Sequence, residues 1–137
     1  MRIIIDSNIF VSCMNYQSDS YIIFRKLVEG AYTLYITTDI ALEYLEVFQR
    51  KFSEAKSEYL YRYLSESAFV KMTPIYFKWN LITIDADDNK FVDCAIASGA
   101  NYIVTNDTHF NILKKIDFPK VKCISLDEFI EILLFKT

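Results

Sequence analysis

The stretch Asp85-Ala86-Asp87-Asp88-Asn89-Lys90-Phe91-Val92-Asp93-Cys94-Ala95-Ile96-Ala97-Ser98-Gly99-Ala100, running on through Asn101 into Tyr102-Ile103-Val104-Thr105-Asn106-Asp107, decides the fold. Three carboxylates fall within its first four residues, ahead of an apolar and small-residue run that fits a short packed helix over about 89–98. Tyr102 to Thr105 is an aromatic and β-branched run of buried-strand type, and it stops at Asn106-Asp107. Acids therefore bracket one helix-then-strand unit, at the points where one element gives way to the next.

The same alternation extends outward. Residues 2–5, with the run Ile3-Ile4-Ile5, read as a fully buried strand that stops at Asp6-Ser7-Asn8, where Ser7 or Asn8 caps a short helix through Met14. A second helix fits Ser20 to Glu29 and closes at Gly30. Tyr32 to Ile36 is a strand, and Thr37, Thr38 and Asp39 open a helix from about Ile40 to Lys51. Ser53 caps the next helix, through about Ser67. Ala68 to Thr73 is a short strand whose ending at Pro74 suits a sheet edge. Residues 75–84 fit no element clearly. Thr108 to Lys115 is a short helix, Val121 to Ile124 a strand, and Ser125 with Glu128 a capping box for a last helix to about Phe135.

Alternating helices and all-apolar strands predict a three-layer α/β/α sandwich around a mainly parallel sheet of about five strands. We expect one domain over residues 1–137. Such sheets gather ligands outside the carboxyl ends of their strands, and right-handed crossovers bring the following helix N-termini to that edge. Asp6 and Asp107 follow strands, while Glu43 and Asp88 lie in first turns of helices, so all four are expected on one rim.

Composition narrows the function. Apolar residues make up 53 % of the chain, with 11 Phe and 10 Tyr, which excludes a disordered chain. No apolar run approaches the ~20 residues of a membrane span, and the N-terminal run is too short for a secretory leader, so a cytoplasmic location is expected. Cys13, Cys94 and Cys123 have no metal-binding spacing and fit buried, reduced thiols. The net charge of −3 is unusual for a nucleic-acid binder, but the charge is unevenly placed. Residues 50–78 and 110–122 each carry an excess of three positive charges.

Four carboxylates on one rim repel one another and call for compensation; Mg²⁺ or Mn²⁺, which choose carboxylate and water oxygens, supply it. Such a site can activate water against a phosphodiester with no histidine base or serine nucleophile. Each acid also has a plainer reading. Asp6 and Asp88 can cap helices, Glu43 can answer a helix dipole, Asp107 can belong to a turn, and Asp85 and Asp87 can be solvated loop acids.

Several segments, in order, resemble the PIN-domain family of metal-dependent ribonucleases, in particular the small toxins of toxin–antitoxin pairs. They are Ile4-Ile5-Asp6-Ser7-Asn8, Ala41-Leu42-Glu43-Tyr44-Leu45-Glu46-Val47, Asp87 through Ala97, and Tyr102 through Asp107. The resemblance implies Asp6, Glu43, Asp88 and Asp107 as the catalytic, metal-holding quartet, with Asn8 and Thr105 as supporting residues. Asp93 is a secondary candidate for the third acid, Asp85 and Asp87 can share its role, and Glu46 is the alternative to Glu43. Asn106 stands where many relatives carry Gly or a basic residue. The implied activity is an endoribonuclease that cuts single-stranded RNA by metal-activated water, leaving a 5′-phosphate and a 3′-hydroxyl. A cognate antitoxin and a homodimer are implied as partners, with the Tyr59–Tyr63 helix a plausible surface for either. Lys51, Lys56, Arg62 and Lys78 are candidate RNA contacts, with Trp79 available for stacking on bases.

The rival reading is a non-catalytic PIN-like module that binds RNA or protein; the intact acid set argues against it. A flap-type DNA nuclease would need a longer chain. A receiver domain would need a Lys after the last strand, where Ser125 stands.

Overall fold

The computed structural model describes residues 1–135. Its elements run β1 (Arg2–Ile5), α1 (Ser7–Ser12), α2 (Tyr21–Val28), β2 (Thr33–Ile36), α3 (Thr38–Lys51), α4 (Glu54–Glu66), β3 (Val70–Met72), α5 (Asn89–Ser98), β4 (Tyr102–Val104), β5 (Cys123–Ile124) and α6 (Leu126–Phe135). Two 3₁₀ segments, Ala86–Asp88 and Thr108–Lys115, precede α5 and follow β4. The five strands form one sheet in the order β3-β2-β1-β4-β5, parallel throughout. This is the expected α/β architecture. β3 lies at an edge and Pro74 follows it, where the missing amide costs no ladder bond.

β1 is the centre of the sheet. Ile3, Ile4 and Ile5 are each fully buried, and successive strand residues face opposite ways, so both faces must be covered. α5 packs on β1, β2 and β4, and α2 packs on α6. The chain leaves β1 for β2 and β3 on one side, then returns to place β4 on the other. The order reverses beside β1, so the switch point lies between the carboxyl ends of β1 and β4.

Local chemistry accounts for most boundaries. Thr37 Oγ1 accepts from the Ile40 amide at 3.1 Å, and Ser53 Oγ from the Lys56 amide at 3.2 Å. The capping box forms reciprocally, Glu128 N–H to Ser125 Oγ at 3.1 Å and Ser125 N–H to Glu128 Oε1 at 3.0 Å. Gly30 ends α2 with φ +79°; a Cβ there would come within 2.6 Å of the Phe69 ring.

Three local expectations are corrected. Asp6, not Ser7 or Asn8, holds the cap position of α1, and Ser7 donates its hydroxyl to Glu43 instead. Residues 108–115 are 3₁₀ rather than α-helical. The last strand is confined to Cys123–Ile124. The three cysteines are free, with Cys13 and Cys94 buried and Cys123 half-buried.

Residues 75–84 form neither helix nor strand, yet they are anchored. The Asn89 side chain donates to the Ile82 carbonyl at 2.8 Å and accepts from its amide at 2.8 Å. Asp93 Oδ1 accepts from the Trp79 amide at 3.0 Å, and Ile82 is buried in the core. An Asn89→Ala variant removes both Ile82 bonds and strands a buried amide. It should lose about 2 kcal/mol in urea unfolding, with amide exchange rising in 75–84 before β1. Unchanged exchange in that segment would refute the anchor.

Candidate metal centre

Asp6 is the first residue beyond β1, and its amide donates to Val104 O at 3.0 Å, so it sits on the ladder edge beside β4. Thr105, the first residue beyond β4, donates its hydroxyl to Asp6 Oδ2 at 2.8 Å and accepts the Asp107 amide at 3.0 Å. One hydroxyl thus sets the spacing of two carboxylates from neighbouring strands. Asp107 Oδ1 in turn accepts the His109 amide at 2.9 Å. Glu43 arrives from the second turn of α3, held by Ser7 on one oxygen and by Lys90 Nζ on the other at 2.6 Å. The hydroxyl of the next residue, Tyr44, donates to the Ile5 carbonyl and ties α3 to the end of β1.

The three acids of 85–88 part company. Asp88 turns inward toward Asp107 and His109, whose Nδ1 lies 3.4 Å from Asp88 Oδ2 and 3.6 Å from Asp107 Oδ1. Asp85 caps the 3₁₀ turn by accepting the Asp87 amide at 3.1 Å, and stands near Asp88 and His109. Asp87 turns away to Lys90 at 3.1 Å. Asp93 accepts from the Trp79 amide rather than facing the other acids. Glu46 is exposed on the outer side of the small cavity that Glu43 and Lys90 line.

Charge follows from this layout. Burial pushes the Asp6 carboxyl above its ordinary value, opposed by Thr105 and the Asn8 amide and reinforced by the charges of Asp107 and Glu43. Asp88 is pushed up to about 6, by burial first, then by the charges of Asp107 and Asp85, with His109 opposing and Asp6 adding to the rise. Lys90 keeps its charge: burial works against it, but Glu43 and Asp87 more than offset that and raise its pKa. The same contact holds the exposed Asp87 carboxyl below its ordinary value. Asp93 is raised by burial, with Trp79 and Lys78 opposing.

Asp85, Asp88 and His109 offer ligand atoms within 4.8 Å of one another. Beside them stand Asp6 and Asp107, two more hard oxygen donors; among the described residues neither pairs with a lysine or arginine, and the His109 ring lies 3.6 Å from Asp107. Closely spaced carboxylates, Asp6 buried and Asp88 and Asp107 half-buried, offer oxygen donors that fit a hard divalent cation. His109 and Lys90 were not anticipated as site residues. His109, the only histidine, lies two residues after Asp107, and Lys90 two after Asp88, so proximity in sequence was the available signal.

The other expected residues are spread around this edge. Asn8 is exposed and lines a cavity with Val47 and Lys51. Lys56 lies 4.2 Å from the Phe52 ring centroid and 3.5 Å from the Met14 carbonyl, turned from the acids. Arg62 is exposed on α4, and Lys78 is exposed beside Asp93. On the tyrosine helix Tyr59 is exposed, while Tyr63 packs edge-on against Phe24 at 5.2 Å.

A family model described as PIN domain matches residues 2–109. No curated protein matches the sequence significantly. The fold is similar to that of VapBC2 from Rickettsia felis, solved bound to a DNA fragment from their promoter. TM-score is 0.63 and identity 21 %, over 91 % of this chain and 98 % of that one. It is also similar to VapBC-1 from nontypeable Haemophilus influenzae, with TM-score 0.59 and identity 13 %, over 93 % of this chain and 99 % of that one. At these identities the likeness is one of fold.

The folded pKa of Asp88 lies above its unfolded value of 3.8, so its contribution is fully present below that pH and is lost as pH rises toward about 6. Carboxyl carbon-13 NMR without divalent cations should find Asp88 titrating near 6. Asp107→Asn removes the strongest neighbouring charge and should bring that value down; an unmoved titration would separate the two groups.

Proposed function

The chain belongs to the PIN-domain family, and from that premise we propose that it is a Mg²⁺- or Mn²⁺-dependent endoribonuclease cutting single-stranded RNA, the toxin of a toxin–antitoxin pair. The observation that carries the proposal is the meeting of Asp6, Asp88 and Asp107 at the switch point of the sheet, with Asp6 and Asp88 both raised by burial first and then by the charge of Asp107. That is an edge prepared for a cation.

Asp6, Asp88 and Asp107 would hold the ion, with Glu43 completing the quartet and Asp85 and His109 within reach. When bound, the cation supplies a more acidic water and stabilises charge on a phosphoryl oxygen. The rest falls to side chains. Thr105 keeps the Asp6 and Asp107 carboxylates in register. Lys90 holds Glu43 in place and cancels part of the acid charge that would repel a phosphate. Lys51, near Asn8, and Lys78, near α5, flank the edge as phosphate contacts; Lys56 and Arg62 stand farther off as auxiliary ones. The VapBC structures support an antitoxin as partner and the homodimer is proposed with it, Tyr59 offering exposed ring surface. Among the described residues no helix is long and apolar enough to cross a membrane, in keeping with a cytoplasmic site of action.

Calorimetric titration of Mn²⁺ should show saturable binding that an Asp6→Asn, Asp107→Asn double variant loses. Thr105→Val, which keeps every carboxylate, should weaken binding about 10- to 100-fold. RNA cleavage should fall in the same order. A folded wild type that binds no Mn²⁺, with or without RNA, would leave the non-catalytic binding module in possession.

A further inference from the structure

We propose that Phe77, Trp79 and Phe118 form a stacking platform that holds unpaired RNA bases beside the acidic edge; its ligand class rests on the ribonuclease reading. The three rings make one cluster from two separate loops. Trp79 lies 4.8 Å from Phe77 and 6.2 Å from Phe118 between ring centroids, both edge-to-face. Yet Phe77 is 63 % exposed and Phe118 83 %, with Tyr76 beside them at 92 %. With 34 buried apolar residues among those described, the fold has room to hide rings, and contiguous bare ring surface marks a place where something binds.

The platform is built, not loose. The Trp79 amide is fixed to Asp93, and Ile82 is clamped by Asn89, both on α5. That helix carries Asp88 at its N-terminal cap, five residues or about 7.5 Å of rise before Asp93. Phe118 follows the 3₁₀ segment that carries His109, the neighbour of Asp88. Phe91 of α5 and Phe110 of that segment meet at 6.5 Å and join the two supports. The loop of Phe77 and Trp79 thus leads into the turn that carries Asp88, and the loop of Phe118 departs from the segment that carries His109.

Charge selects the occupant. Residues 71–80 carry two lysines and no acid, and residues 110–122 four lysines against one aspartate; Lys78 adjoins Trp79 and Lys120 follows Phe118 by two residues. An apolar partner helix would use the rings but not the lysines. A single strand uses both, since every base has a face to stack and every phosphate a charge to pair.

Trp79 is the only tryptophan, so its emission reports on the platform alone. The probe is a labelled oligoadenylate of about ten nucleotides, added in EDTA to the full chain. Saturable quenching of Trp79 is expected, with none from a duplex of equal length. Phe77→Ala and Phe118→Ala, both at exposed positions, should each weaken binding at least fivefold by anisotropy. Oligonucleotide binding without quenching, or binding unchanged in both phenylalanine variants, overturns the platform and leaves the ribonuclease reading standing. No binding at all overturns the platform and assigns the rings to a protein partner. Quenching without cleavage when Mn²⁺ is restored upholds the platform and counts against the nuclease.

Discussion

Complete burial of Ile3, Ile4 and Ile5 is the constraint on which the rest depends. A strand buried on both faces needs cover on both, and parallel neighbours can be reached only by crossovers that supply it. Those crossovers start at the carboxyl edge. The residues that leave strands, Asp6 and Thr105-Asn106-Asp107, and those that enter α3 and α5 therefore share one end of the sheet. The bond from Tyr44 to the Ile5 carbonyl fastens this arrangement at the point where Asp6 begins. Core packing and the convergence of acids are one geometric fact seen from two sides.

Convergence has an electrostatic cost, and the structure meets part of it internally. Lys90 is largely buried, with 17 % of its side chain exposed, and pairs with Glu43 and Asp87. These two acids are answered. Among the described residues, Asp88 and Asp107 have only the His109 ring close by as a basic group, Asp6 has the Thr105 hydroxyl, and Asp6 and Asp88 carry the raised pKa values. The remaining demand for a cation is thus localised on the β1–β4 side of the edge. Glu43, engaged on both oxygens, sits between the answered and the unanswered groups.

The fold was legible because periodicity and capping report directly on it. The five strands, their alternation with helices and the Ser125–Glu128 box all follow from spacing. The placing of Asp6, Glu43, Asp88 and Asp107 along one edge was legible for the same reason, since topology alone brings them there. What depends on side-chain direction was not. Nothing local distinguishes Asp88 from Asp87, which face opposite partners, or shows that Asp93 turns to the Trp79 amide. Lys90 and His109 join the site through rotamers and long-range contacts. The cap of α1 was misread because Ser7, a good cap by type, is drawn to Glu43, a partner 36 residues away. Residues 75–84 resist any periodic reading because α5 side chains, rather than a ladder or a helix, satisfy key parts of their backbone.

The acidic total is compatible with a polyanionic ligand once screening is considered. At physiological ionic strength a charge is felt over about 8 Å, so a strand meets local ground rather than the chain's net −3. Along 71–80 and 110–122 that ground is basic. Only at the acid edge would a phosphate be repelled, and there the proposed divalent cation would reverse the sign. If RNA lies across both, metal and RNA must strengthen each other's binding by the same factor, since coupling between sites is reciprocal. On the proposed function, an edge left short of positive charge beside loops rich in it would be a conditional binding site rather than an obstacle to one.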